Sequence, residues 1–142
     1  MSVARQNFGK TKEGQEISLY TVTNEKGAVM KVTDFGAILV SVLVPDPAGK
    51  LTDVVLGFDS GEDYETRNTP HFGASIGGNG NRIDQASFML NGKKVQLTPN
   101  ENENNLHSGP MGCDNMMWEA CPGENSVAFH RISPDGEQGF PG

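Results

Sequence analysis

Residues 81–97 read Asn-Arg-Ile-Asp-Gln-Ala-Ser-Phe-Met-Leu-Asn-Gly-Lys-Lys-Val-Gln-Leu, and they contain the clearest local structural signal of the chain. Its Asn91-Gly92 pair is preferred in the two-residue type I′ turn, because both residues tolerate a positive φ. With that turn Phe88 faces Val95, and Ser87, Met89, Lys94 and Gln96 lie on the other, largely solvated side. The sequence therefore predicts a β-hairpin over residues 86–97. Its core-facing side is expected to carry Ala86, Phe88, Leu90, Val95 and Leu97.

Polar clusters flank this hairpin on both sides. Asn81-Arg82 precedes it, and Asn105 and His107 follow it. A hairpin brings its two ends together, so an amide, a guanidinium and an imidazole are expected to converge beside one sheet. These groups offer several directional donors and an acceptor without a strong net field, which suits a neutral polyol. Taken alone, Arg82 is more typical of a surface or ion-pairing residue, and His107 of a loop histidine with satisfied hydrogen bonds; their positions on either side of one hairpin strengthen the case for a site.

The rest of the chain is rich in short β-type segments separated by turns. Residues 15–23 and 28–33 predict a hairpin around a turn at 24–27. The apolar run 35–44 favours a strand covered on both faces, although periodicity alone also allows a buried helix. Further strands are expected at 53–58, 116–120 and 126–132. Residues 59–71 are expected to form a loop with at most a single helical turn near Tyr64, and the polar run 99–105 another loop. The predicted class is all-β, in one domain over residues 1–142.

Charge and composition exclude several classes of partner. The net charge is −7, with 18 acidic residues, 11 basic residues and no basic run. Binding to nucleic acid or to an anionic membrane surface depends on clustered lysine and arginine, so neither is expected. No segment has the length of a membrane span or the pattern of a signal peptide. The two cysteines match no redox or zinc motif, and a cytoplasmic location with reduced thiols is expected.

The sequence favours neither a phosphate-binding loop nor a metal site. Gly77-Gly78-Asn79-Gly80 resembles a phosphate loop, but such loops need a following helix, and here a strand is expected instead. A tight turn is the better interpretation. A metal site needs three or four convergent ligands at ligand spacing, and none is visible, since His71 and His130 have no obvious companions. Glu101 and Glu103 are expected to form a solvated face.

Several motifs occur together and in order along the chain. They are Val54-Val55-Leu56-Gly57-Phe58, Phe72-Gly73-Ala74, Ile76-Gly77, Asn81-Arg82-Ile83, Asn105-Leu106-His107-Ser108-Gly109, Trp118 and the closing Ser133-to-Gly142 turn. The combination closely resembles the N-terminal part of the galactose mutarotases, or aldose 1-epimerases, and covers nearly the whole chain. Two positions depart from the family pattern: Gly78 stands where an arginine is usual, and Ser108 replaces the first glycine of a Gly-Gly pair.

The resemblance implies an incomplete β-supersandwich and an isomerase that interconverts the α and β anomers of free hexoses such as galactose and glucose. In that family a glutamate takes the proton of the C1 hydroxyl while a histidine protonates the ring oxygen, and no cofactor is needed. Asn81, Arg82 and His107 match family positions that hold the sugar. The family's acid histidine and base glutamate lie downstream of the Phe140-Pro141-Gly142 turn.

The chain is therefore expected to be an N-terminal fragment with part of the sugar site, without a catalytic residue, and inactive by itself. Exposed strand edges would favour self-association, and the oligomeric state stays open. Two alternatives remain. One is a non-catalytic carbohydrate-binding or interaction module. The other is a hexose-6-phosphate mutarotase, although the four arginines that could grip a phosphate are scattered, at Arg5, Arg67, Arg82 and Arg131.

Overall fold

The computed structural model describes residues 2–142, which divide into two compact units. The first unit contains residues 2–75 and 117–131, and the second contains residues 76–116 and 132–142. Each unit is described by itself below. Among the described residues, no helix has the length and apolar character required to cross a bilayer.

The first unit is built on a five-stranded antiparallel sheet whose strands follow one another in chain order. The strands are β1 (Ser2–Lys10), β2 (Glu16–Thr23), β3 (Val29–Thr33), β4 (Leu39–Pro45) and β5 (Leu51–Asp53). The predicted hairpin of residues 15–33 is confirmed. At its turn the Asn24 side chain accepts hydrogen bonds from the backbone N–H groups of Lys26 and Ala28, both at 2.9 Å. This use of an asparagine side chain to close a turn explains why that turn was visible in the sequence.

Two of the strand predictions in this sheet need correction. The apolar run 35–44 is not a strand throughout, because Gly36 and Ala37 have positive φ values and reverse the chain before β4 begins. The segment 53–58 was expected to be a strand, but the ladder ends at Asp53. The Asp53 carboxylate accepts the N–H groups of Val42 and Val55, so the chain turns there. Strand β1 was not predicted.

Helix α1 (Gly61–Arg67) follows the sheet where a loop with one helical turn was expected. Ser60 caps it, because its hydroxyl accepts the Asp63 N–H at 3.2 Å. Tertiary contacts complete the helix: the Glu62 carboxylate accepts the N–H of Lys10 at 2.9 Å, at the end of β1. A short helix has little stability of its own, so these contacts decide its presence.

The core of the first unit lies between this helix and the sheet. Its buried members are Ile17, Leu19, Phe35, Ile38, Val40 and Tyr64, with Phe8, Phe58 and Met117 packed against them. A second hairpin belongs to this unit, formed by β10 (Glu119–Pro122) and β11 (Val127–His130). The predicted strands at 116–120 and 126–132 are thus present with shifted bounds. The Phe129 ring meets the Tyr20 ring edge-on, with 5.9 Å between centroids.

The second unit contains four short strands in two pairs. They are β6 (Arg82–Ile83) with β9 (Asn105–Leu106), and β7 (Ser87–Leu90) with β8 (Lys93–Gln96). The predicted register of the 86–97 hairpin is confirmed, including Phe88 opposite Val95. Only its base is fully buried, at Ala86 and Leu97, whereas Leu90 near the tip is 42% exposed. Short 3-10 turns occur at Asp84–Ala86, Cys113–Asn115 and Glu137–Gly139.

Candidate functional site

The β6–β9 ladder brings together the two polar clusters that flank the hairpin. Arg82 pairs with Leu106, and Ile83 pairs with Asn105. Asn81 and His107, which lie one residue outside this ladder, therefore face each other at its end. The predicted approach of Asn81, Arg82 and His107 is present in the structure, and it follows from closure of the intervening hairpin.

Asn81 and His107 make two reciprocal hydrogen bonds. The N–H of Asn81 donates to Nδ1 of His107 at 3.0 Å, and the N–H of His107 donates to the carbonyl of Asn81 at 3.1 Å. Both residues have positive φ values, 62° and 52°. Because Nδ1 accepts a backbone N–H, the neutral ring carries its proton on Nε2. The imidazole is thus held in one tautomer, with its ring N–H on Nε2.

Arg82 is held by an acidic partner beside this pair. Its Nη2 lies 2.9 Å from Oε1 of Glu101, and its Nη1 donates to Oδ1 of Asn81 at 3.3 Å. The hydrogen bond from Arg82 lowers the pKa of the Glu101 carboxyl, and the same bond raises the pKa of Arg82. The Arg82 side chain remains 52% exposed. It can therefore present its other N–H groups to a ligand in a fixed orientation.

Glu103 is exposed, as expected, and Glu101 is partly buried, but each carboxylate makes a side-chain hydrogen bond. Glu101 is the partner of Arg82, and Glu103 accepts a hydrogen bond from Nε2 of Gln85 at 2.9 Å. The polar loop folds back because Glu101 bridges to Asn104 in a tight turn. Glu101 is evident in the sequence as a loop acid. Its contact with Arg82 depends on the register of β9, which the sequence does not specify.

Asn105 is buried in the fold and does not join Asn81, Arg82 and His107. It is 0% exposed, and its Nδ2 donates to the carbonyl of Thr98 at 2.7 Å. Its Oδ1 has no hydrogen-bond partner among the described residues. A buried amide that ties one loop to the ladder fixes the backbone on which His107 lies.

Ser108, one of the departures from the family pattern, closes the glycine-rich loop. Its hydroxyl contacts the carbonyl of Gly77 and accepts the N–H of Asn79, the latter at 2.8 Å. Gly78 has a φ of 76°, as a tight turn requires. No helix follows this loop in the described chain; β6 follows instead. These contacts support the turn interpretation over a phosphate loop.

The largest cavity described for the second unit lies apart from the three polar groups. Its volume is about 590 Å³, and its wall includes Ile83, Phe88 and Phe140. It is mainly apolar and does not include Asn81, Arg82 or His107 in its lining. A sugar would find few hydrogen-bonding partners there, so the polar groups at the end of the ladder are the better candidate site.

Comparison with known proteins identifies the class. The aldose 1-epimerase family model matches residues 18–142. Galactose mutarotase from Sus scrofa is 35% identical over 143 residues, covering 100% of this chain and 41% of that protein. Aldose 1-epimerase from Escherichia coli (strain K12) is 37% identical over 131 residues, covering 92% and 38%. The structure of galactose 1-epimerase from Lactobacillus acidophilus NCFM aligns with a TM-score of 0.85 at 25% identity, covering 100% of this chain and 42% of that one.

The fold is therefore that of the galactose epimerases, and the predicted all-β class of this type, in incomplete form, is confirmed. The chain belongs to the aldose 1-epimerase family. It spans less than half of the length of these relatives.

Proposed function

We propose that this chain supplies Asn81, Arg82 and His107 to the sugar site of an aldose 1-epimerase acting on free hexoses such as galactose and glucose. The observation that carries the proposal is the pair of reciprocal hydrogen bonds between Asn81 and His107, beside Arg82. An amide, an imidazole and a guanidinium are thereby fixed at neighbouring positions by the backbone itself. Membership in the family gives the class of ligand.

The three groups are suited to different oxygens of a sugar. The neutral imidazole of His107 carries its N–H on Nε2, because its Nδ1 accepts the Asn81 backbone N–H. Arg82 offers the guanidinium N–H groups that Glu101 and Asn81 leave unused. Hydroxyls both donate and accept, so fixed donors at separate positions select the orientation of the ring. By holding the sugar in one orientation, these groups would position its C1 hydroxyl and its ring oxygen for the proton transfers.

The Arg82–Glu101 ion pair favours a neutral sugar over a phosphorylated one. The two side chains compensate each other's charge at 2.9 Å, so a phosphate would meet a carboxylate together with the guanidinium. A neutral hydroxyl carries no such penalty. We therefore assign free aldoses, rather than hexose 6-phosphates, as the ligands of this site.

Mutarotation requires a base for the C1 hydroxyl proton and an acid for the ring oxygen. No residue of this chain matches the family's motifs for that glutamate and that histidine. We infer that the 142-residue chain binds sugar without opening the ring, and that the proton-transferring pair belongs to sequence outside these residues.

Polarimetry tests this function. Crystalline α-D-galactose is dissolved in weak buffer, and its optical rotation is followed with and without the chain. The expected rate equals that of buffer alone. An acceleration that disappears in Arg82→Ala and His107→Ala would contradict the assignment of the acid and base to sequence outside these residues, while supporting the site.

A second arm compares galactose with galactose 6-phosphate in equilibrium binding. We expect galactose to bind at least as tightly. A preference for the phosphate that is lost in Arg82→Ala would overturn the assignment of free aldoses and favour a hexose-6-phosphate mutarotase.

A further inference from the structure

The β10–β11 hairpin places three different potential metal ligands on one exposed face. Glu119 pairs directly with His130, and Cys121 lies two residues along β10 from Glu119. Residues two apart on a strand share a face, and directly paired residues do so too. Glu119, Cys121 and His130 therefore project to the same side, and all three are exposed.

The residue opposite Cys121 leaves room for this cluster. That residue is Ala128, whose methyl group does not fill the space between Cys121 and the diagonal neighbour His130. The intervening Phe129 points to the opposite face, where its ring meets Tyr20 of the sheet. The hairpin is thus held by its apolar side, and the three ligating groups remain in solvent.

The His130 ring contacts both of the other side chains. Nε2 of His130 lies 3.1 Å from Oε2 of Glu119, and Nδ1 of the same ring lies 3.7 Å from Sγ of Cys121. One donor atom from each of the three residues can be chosen so that all lie within 4.8 Å of one another. A tetrahedral Zn²⁺ ion with ordinary bond lengths separates a sulfur and a nitrogen ligand by about 3.5 Å. The Cys121–His130 spacing is therefore close to that of a zinc site.

We propose that Glu119, Cys121 and His130 form a solvent-exposed binding site for Zn²⁺ or a similar borderline divalent cation. A thiolate, an imidazole and a carboxylate are the ligand types that zinc uses, and a water would complete a tetrahedron. The thiolate disfavours Mg²⁺ and Ca²⁺, which prefer oxygen ligands. This site lies in the first unit, and its argument is independent of the sugar site in the second.

The sequence predicted no metal site because no set of ligands lies at metal-binding spacing along the chain. Cys121 and His130 are nine residues apart, and only the register of the hairpin brings them together. A cross-strand site of this kind requires knowledge of which residues pair.

Cobalt spectroscopy on the full 142-residue chain tests the proposal. Co²⁺ is titrated into the reduced chain, free of any affinity tag, under anaerobic conditions. We expect one equivalent to produce the visible bands of tetrahedral Co²⁺ and a near-ultraviolet charge-transfer band from a thiolate, both bleached by Zn²⁺. Cys121→Ser should abolish the charge-transfer band, and His130→Ala and Glu119→Gln should each weaken binding at least about tenfold.

Cys113→Ser is the matched control, because Cys113 is the only other cysteine of the chain. This variant should keep the full spectrum. Circular dichroism verifies the fold of each variant, and the substitutions at the exposed Glu119, Cys121 and His130 should leave it unchanged. Absence of a thiolate band in the wild-type chain, its persistence in Cys121→Ser, or its loss in Cys113→Ser would each overturn the proposal.

Discussion

Replacing Tyr64 by phenylalanine isolates the contribution of one buried hydroxyl to helix α1 and the core. Tyr64 is 1% exposed, and its ring lies 5.3 Å from that of Phe58 and 6.2 Å from that of Phe8. Its hydroxyl oxygen accepts the backbone N–H of Phe58 at 3.1 Å. Burial also raises the pKa of this hydroxyl, so the group is neutral throughout the ordinary pH range.

The expected cost follows from what Tyr64→Phe leaves behind. The ring contacts are kept, so no large cavity forms. The N–H of Phe58 loses its acceptor in a partly buried position, which costs about 1–3 kcal/mol. Unfolding in urea, followed by circular dichroism, should show this loss of unfolding free energy with an unchanged dependence on denaturant.

Tyr20→Phe is the matched control for this measurement. Tyr20 is also buried and makes an edge-on ring contact with Phe129, but the described chain provides no hydrogen bond for its hydroxyl. Its substitution should change the unfolding free energy by less than about 0.5 kcal/mol. Equal costs for the two variants would refute the argument that the hydroxyl of Tyr64 fixes the Phe58 segment.

Two further changes test other contacts. Gly73→Ala should cost about 2–4 kcal/mol of unfolding free energy, because φ is 62° and a Cβ there would overlap the Leu39 carbonyl. Gly92→Ala, at φ 75° in open space, should cost only about 1 kcal/mol, and similar losses would contradict the steric argument. The Arg82–Glu101 contact lowers the Glu101 pKa, so its stabilisation should be present above the unfolded value of about 4.3 and disappear as pH falls through the folded value. Glu101→Gln should remove that part of the pH dependence of urea unfolding, and an unchanged profile would show that the pair does not stabilise the fold.

The sequence predicted best where local chemistry decides the structure. The Asn91-Gly92 turn fixes its own register, and Asn91 and Gly92 have the positive φ values that a type I′ turn requires. Closure of this hairpin was then sufficient to predict that Asn81, Arg82 and His107 approach one another. The predicted resemblance to the aldose 1-epimerase family is confirmed. It could be predicted because the motifs of that family are short local sequences.

Features that depend on distant contacts were missed. Helix α1 has a capping serine, but a helix of seven residues is not stable by itself. It also needs the burial of Tyr64 and the hydrogen bond that the Glu62 carboxylate accepts from the Lys10 N–H at the end of β1. Strand β1 lies at the edge of the sheet and is mostly exposed, so it lacks the alternation that identifies a half-buried strand. The Arg82–Glu101 pair depends on the path of a polar loop for which the sequence gives no periodic signal.

The central claim is that Asn81, Arg82 and His107 bind a free aldose, and NMR of the isotopically labelled chain tests it most directly. Galactose is titrated while the Asn81 and His107 amides and the His107 ring are observed, with the exposed His130 ring as an internal reference. We predict saturable shifts at Asn81 and His107, lost in Arg82→Ala, with His130 unchanged. Shifts elsewhere but not at Asn81 and His107, or none at a large excess of sugar, would contradict the claim.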